Sequence, residues 1–249
     1  MMVPTVPALQ TAGLVAGYER DLPIVRGIDL AVAAGEFVAI LGPNGAGKST
    51  YVKAIAGTVP TFGGSVFLGG QDITDTPLHQ RSGKGLGFVP QTENIFTSLT
   101  IAENFRLAAD VLPKTLRGPR LDKIYSMFPD LAGRPRLRAG QLSGGQRQML
   151  AVARALIVEP KVLILDEPSA GLSPKIVGTV FSMLKEINKT GVTILLVEQN
   201  VKAALRVADR GVILVEGQLR YEGKADVLTS DPLLAELYLG AQTMRKAET

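Results

Sequence analysis

Residues 42–50 read Gly-Pro-Asn-Gly-Ala-Gly-Lys-Ser-Thr and follow directly on the apolar run Phe37–Leu41, FVAIL. No other stretch of the chain limits the fold as tightly. A short, uninterrupted apolar run predicts a strand buried on both faces. Helical patterning from about Lys48 to Ala56 then places the glycines on a strand-to-helix turn. In that context Gly-x4-Gly-Lys-Ser/Thr is a phosphate cradle. Glycines let the backbone curl until successive N–H groups point inward, and the helix start adds partial positive charge. Gly42, Pro43, Asn44, Gly45, Ala46, Gly47, Lys48, Ser49 and Thr50 are therefore expected to hold a nucleotide. Lys48 would reach its β- and γ-phosphates and the Ser49 hydroxyl would ligate Mg²⁺.

A second apolar run, Val162–Leu165, ends in Asp166-Glu167-Pro168. Buried parallel strands deliver side chains at their C-terminal edge, where ligands bind in such sheets. Asp166 is expected to hold Mg²⁺, through water, because that ion keeps several of its own waters. Glu167 is expected to be the general base that orients and polarises an attacking water. A helix from Pro174 to about Asn188 and a third apolar run, Val192–Val197, complete a β-α-β order, which predicts a parallel sheet.

Between these halves the texture changes. From about Thr92 to Glu159 the pattern is helical, with Ile101, Phe105, Ala108 and Leu112 on one face. Pro113, Gly118 and Pro119 are expected to interrupt it before a separate helix over Leu121–Phe128, and a further helix follows Ser143. Elsewhere short strands over Leu9–Val32, Val66–Leu68 and Gly87–Val89 are punctuated by Gly63-Gly64 and Gly69-Gly70, and Gly211–Gly223 reads as a hairpin. The layout is an α/β core interrupted by a helical insert.

Residues 142–146, Leu-Ser-Gly-Gly-Gln, open that last helix of the insert. Ser143 is a natural N-cap, and the free N–H groups of Gly144, Gly145 and Gln146 would form a second anion site. A capped helix alone explains the serine but not two glycines, which weaken a first turn. The chain thus offers two phosphate-facing helix starts but one lysine–serine–carboxylate set. The simplest resolution is that the second motif completes the site of another copy.

Together these motifs make the chain resemble the ATP-binding subunits of ABC transporters over nearly its whole length, from about Leu9 to Gly240. The resemblance implies an α/β fold: a P-loop ATPase (RecA-like) core with a small antiparallel β part and an inserted helical subdomain. It implies one domain over residues 8–243, with core parts 8–91 and 159–243 and a helical part 92–158. Tyr18 resembles the aromatic that stacks on adenine. Gln91, in Phe88-Val-Pro-Gln91, resembles the glutamine that contacts Mg²⁺ and links to the transmembrane partner. Leu142–Gln146 resembles the signature motif, and Val162–Glu167 the Walker B strand with its catalytic glutamate. Ser169–Ser173 lies where such proteins carry the D-loop. By the same resemblance two subunits would sandwich two Mg·ATP, each between the phosphate loop of one and the signature motif of the other.

The chain departs from that pattern where most relatives carry a switch histidine: the segment reads Leu196-Val-Glu-Gln199-Asn200. Gln199 can donate a hydrogen bond to a γ-phosphate but cannot become charged or shuttle a proton. It is expected to act as a γ-phosphate sensor, leaving the chemistry to Glu167. The only histidine, His79, lies in a polar stretch and is expected at the surface. The D-loop ends in Ser173 where an aspartate is usual. Val-Glu-Gln-Asn, the Gly-Leu-Ser-Pro of residues 171–174, and Asn94-Ile-Phe-x-x-Leu-Thr-Ile-x-Glu-Asn together resemble the second ATP-binding subunit of branched-chain (hydrophobic) amino acid importers. Urea and amide importers share much of the pattern. An exporter ATPase and a soluble ABC ATPase acting on nucleic acid or ribosomes remain as alternatives. The chain shows neither the long coiled coil nor the tandem ATPase domains common in the soluble class. The resemblance implies two transmembrane permease subunits, a second ATPase subunit and a separate solute-binding protein as partners. No direct nucleic-acid partner is expected.

Composition fits this reading. Of 249 residues 46% are hydrophobic and 20% charged, enough for a large core without staples. With no cysteine, neither a disulfide framework nor a thiolate metal site is possible. No apolar run approaches the ~20 residues that span a bilayer, and MMVPTVPALQT lacks the pattern of a secretory leader. The expected location is the cytoplasmic face of a membrane, with other chains supplying the spans. Net charge is +4, and Lys114–Arg138 carries seven basic residues against two aspartates. That segment is expected to be a solvated helical face or one near anionic lipid or a permease.

Overall fold

The computed structural model describes residues 6–230; the expected domain limit at residue 243 lies outside them. The strands are β1 (Leu9–Ala16), β2 (Val25–Val32), β3 (Phe37–Leu41), β4 (Thr61–Leu68), β5 (Gln71–Asp72), β6 (Leu86–Val89), β7 (Val162–Asp166), β8 (Thr193–Val197), β9 (Arg210–Val215) and β10 (Gln218–Lys224). The α-helices are α1 (Lys48–Ala56), α2 (Leu78–Arg81), α3 (Ile101–Ala109), α4 (Lys114–Met127), α5 (Pro129–Ala132), α6 (Gly144–Leu156), α7 (Pro174–Lys189), α8 (Val201–Leu205) and α9 (Ala225–Ser230). Strands and helices mix as expected of a P-loop ATPase core with an antiparallel part and helices inserted between β6 and β7.

One sheet runs β10-β9-β3-β8-β7-β6 and is parallel except for β10. Its apolar runs are continuous because each face has its own core. Phe37, Ala39 and Leu41 of β3, Leu163 and Leu165 of β7, and Ile194 and Leu196 of β8 meet helices α3 to α7. The alternate residues Val38, Ile40, Val162, Ile164, Leu195 and Val197 meet α1 and the antiparallel sheet β2-β1-β4-β5. Each large aliphatic side chain buried this way contributes about 1.5–3 kcal/mol. Helix α1 is clamped between the two sheets, and its Tyr51 hydroxyl is 2.9 Å from Thr11 Oγ1. Burial pushes the Tyr51 phenol well above its usual range, so it stays protonated.

Two local expectations are corrected. Gly118 and Pro119 do not interrupt the helix; both lie inside α4. Proline removes one i→i−4 bond, but Thr115 and Pro119 are exposed, so water can take the freed carbonyl. Gly63-Gly64 does not separate strands; it lies within β4 at an irregularity in the pairing with β1. Gly64 has φ 75, and a Cβ there would meet Gly13 O at 2.3 Å, so the bulge admits only glycine.

Candidate functional site

Four adjacent parallel strands in the order β3-β8-β7-β6 deliver the site from one edge. β3 leads into residues 42–47, β8 into Glu198-Gln199, β7 ends at Asp166, and β6 leads into Pro90-Gln91. The strands are rigid because they are buried on both faces, so the loops leaving them start from fixed points.

The glycines of the cradle are required by conformation and by space. Gly42 has φ 151, and a Cβ there would meet Leu214 O at 2.3 Å; Gly45 and Gly47 have φ 81 and 93. Gly47 is the N-cap of α1 and supplies no side-chain cap. The first N–H groups of α1 therefore have no intrahelical partner and remain available to an anion. Lys48 is buried and donates to Gly42 O at 2.8 Å and Pro43 O at 3.0 Å. Burial pushes its pKa down, while Glu167, Asp166 and Glu198 act in the opposite sense. At the other end of α1, buried Arg81 donates to Ala54 O and Ile55 O, and also to Thr74 O at 2.8 Å and Thr76 O at 2.7 Å. A cation at the carbonyl end suits the helix dipole.

Ser49 Oγ donates to Asp166 Oδ1 at 2.8 Å. Asp166 is 1% exposed and its Oδ2 is buried without a partner. Burial pushes its pKa up, opposed first by the Ser49 hydrogen bond. A buried, unpaired carboxylate oxygen is costly, and beside a hydroxyl it forms a hard-oxygen pair suited to a small divalent cation. Among the described residues no three His, Cys, Asp or Glu side chains are placed to hold a metal ion on their own.

Glu167 is buried at φ 49, a left-handed conformation that costs a non-glycine residue of order 1 kcal/mol or more. Its own N–H to Val197 O, at 2.9 Å, holds it there. Gln91 Nε2 and Gln199 Nε2 both donate to Glu167 Oε2 at 2.8 Å. Two hydrogen-bonded sets, Ser49–Asp166 and Gln91–Glu167–Gln199, thus meet at the consecutive residues Asp166 and Glu167, with Lys48 preceding Ser49 in the chain. Tyr18 stands apart from it, 63% exposed, on the rim of a cleft of about 720 Å³ that Lys53, His79, Gln91 and Arg154 also line.

The residues 143–146 lie at the start of α6, and no hydrogen bond joins them to residues 42–50 among the described residues. Ser143 and Gln146 form a reciprocal capping box: Gln146 N–H donates to Ser143 Oγ at 3.3 Å, and Ser143 N–H to Gln146 Oε1 at 3.0 Å. Two expectations are corrected: the Gln146 N–H is not free but taken by Ser143, and packing accounts for the two glycines. A Cβ on Gly144 would meet Leu172 Cδ2 at 2.9 Å, and one on Gly145 would meet Ile176 Cγ2 at 2.4 Å.

Sequence reasoning missed Glu198. It is 1% exposed and accepts from Ser169 N–H at 3.0 Å, Ser169 Oγ–H at 2.8 Å and Gln199 N–H at 3.1 Å. Asn200 N–H adds a longer bond of 3.5 Å. Its place at the end of an apolar strand beside Gln199 was the available signal. The basic insert is partly neutralised: Arg117 pairs with Asp110, and Arg120 and Lys123 with Glu159. His79 is exposed, as expected.

The sequence profile of the family described as ABC transporter matches residues 25–170. A probable branched-chain amino acid transport ATP-binding protein, LivF, of Archaeoglobus fulgidus is 42% identical over 93% of this chain and 98% of its own length. The high-affinity branched-chain amino acid transport ATP-binding protein BraG of Pseudomonas aeruginosa is 35% identical over 91% of this chain and 97% of its own. A crystal structure of an ATP-binding cassette of an ABC transporter in its ADP conformation superposes with a TM-score of 0.83 at 27% identity, covering 94% of this chain and 98% of that one.

Proposed function

The chain belongs to the ABC transporter family as an ATP-hydrolysing subunit, and on that premise we propose that it powers an importer of branched-chain or other hydrophobic amino acids. The observation that carries the mechanism is the convergence of Lys48, Ser49, Asp166, Glu167, Gln91 and Gln199 at one sheet edge. The transport class rests on the similarity to LivF and BraG.

In this reading the N–H groups at the start of α1 and the Lys48 ammonium bind the β- and γ-phosphates, and Tyr18 stacks on adenine. Lys48 Nζ is held against the loop by two of its carbonyls, Gly42 O and Pro43 O. Ser49, Asp166 and Gln91 would hold Mg²⁺, which when bound neutralises phosphate charge. Glu167 orients the attacking water and accepts its proton as the bond from the γ-phosphorus to the bridging oxygen breaks, giving ADP and phosphate. Gln199 donates to the γ-phosphate. Gln91 and Gln199 each use one side-chain N–H on Glu167 Oε2, which leaves the Gln91 amide oxygen for a metal and the second Gln199 N–H for a phosphate.

Residues 92–158 act as the helical part of one ATPase domain, and Ser143–Gln146 serve the nucleotide bound by a second ATPase subunit. No helix among the described residues is long and apolar enough to cross a membrane. The proposed setting is the cytoplasmic face of the membrane, against two permeases fed by a solute-binding protein. Affinity purification from native membranes is expected to recover two dissimilar permeases. ATP hydrolysis by that complex should rise on adding receptor loaded with leucine, isoleucine or valine. Recovery without permeases, or hydrolysis indifferent to loaded receptor, would overturn the importer reading.

A further inference from the structure

We infer that Glu198 is a positioning residue for hydrolysis: its carboxylate ties the turn carrying Ser169 to the backbone of Gln199 and so fixes the amide that engages Glu167. The inference rests on the reading of Gln199 as part of the hydrolytic group. Glu198 is buried at the end of β8 and forms no ion pair among the described residues. Such a carboxylate is expensive unless donors surround it. Here the donors come from two segments. Ser169 gives both its N–H and its hydroxyl, and the residues that follow β8 give the N–H groups of Gln199 and Asn200. Glu198 N–H in turn donates to Ile40 O at 3.1 Å, which locks the residue to β3, the strand that leads into the phosphate cradle.

The turn that Glu198 holds reaches further. Ala170 N–H donates to Glu167 O at 3.1 Å and Leu172 N–H to Ser169 O at 3.1 Å. The Leu172 side chain then lies where a Cβ on Gly144 would fall. One carboxylate therefore sits between the group that contacts Glu167 and the turn that packs on the second glycine-rich helix start.

A glutamine at 198 keeps the shape but replaces one acceptor oxygen with an NH₂, which opposes the backbone N–H donors. In the full-length chain Glu198→Gln should lower kcat by about a hundredfold, the order expected of a misplaced catalytic group. KM for ATP should stay within about threefold, the pattern of an interaction used only at the transition state. Combined with Gln199→Ala, the two losses should be far from additive, because the first acts through the second. The side-chain amide resonances of Gln199, assigned by their disappearance in Gln199→Ala, should move toward those of a solvated glutamine. An unchanged kcat, additive losses, or unmoved Gln199 resonances would each overturn the proposal. If Glu198→Gln does not fold, Ser169→Ala tests the same tie with a smaller loss and the same non-additivity. A Gln199→Ala chain with wild-type kcat would instead sink the reading of Gln199. The amide resonances would then still report whether Glu198 positions it.

Discussion

The starts of α1 and α6 are both glycine-rich helix N-termini, yet they are built on opposite plans. At α1 the N-cap is Gly47, left-handed at φ 93 and without a side-chain cap, so the helix leaves its first N–H groups open. At α6 the N-cap Ser143 satisfies the N–H of Gln146 and receives its side chain in return. The glycines of the first are needed for backbone conformation; those of the second make room for Leu172 and Ile176. Among the described residues, only the first has a lysine, a serine and carboxylates gathered around it. In the proposed function the first binds phosphate within its own chain and the second serves the nucleotide of another subunit.

Lys48→Ala gives the largest expected effect on this contrast. Removing a charge-assisted donor should weaken ATP binding by the isolated chain about ten- to a hundredfold in a nucleotide titration. Ser143→Ala should leave that titration unchanged, and an equal loss would break the contrast. Gly145→Ala drives a methyl into Ile176. It should cost about 1–3 kcal/mol in a denaturant melt while binding of ATP to the single chain persists. Ser143→Ala itself should cost about 1 kcal/mol from the lost cap, read in the same melt. The smallest effect concerns pH. With glutamine at 199, hydrolysis should show no limb from that position; Gln199→His should add one near pH ~6.5 without a large gain in rate. A large gain would mean that the imidazole supplies chemistry this chain lacks.

How much of this was legible beforehand depended on whether the controlling contact was local. The buried strands FVAIL and VLIL, the turn at residues 42–47 and the start of α1 were readable because each is fixed by its own apolar run or glycines. Helix α4 was misread at Gly118-Pro119 because exposure lets water replace a lost helix bond, and burial is not local information. The glycines 144 and 145 are explained by Leu172 and Ile176, neighbours only after folding. For the same reason Glu198 passed as part of a departure from a histidine pattern. Its importance lies in Ser169, brought near by the pairing of β7 with β8.

Dimerisation of the Glu167→Gln chain with Mg·ATP, followed by size-exclusion chromatography with light scattering and parallel phosphate release, tests the centre of the account most directly. The account predicts a stable ATP-bound dimer that releases little phosphate, with hydrolysis down by about a hundredfold or more. A variant that hydrolyses at the wild-type rate would contradict the role of Glu167. One that binds ATP but stays monomeric would contradict the pairing of the two helix starts between copies of this chain.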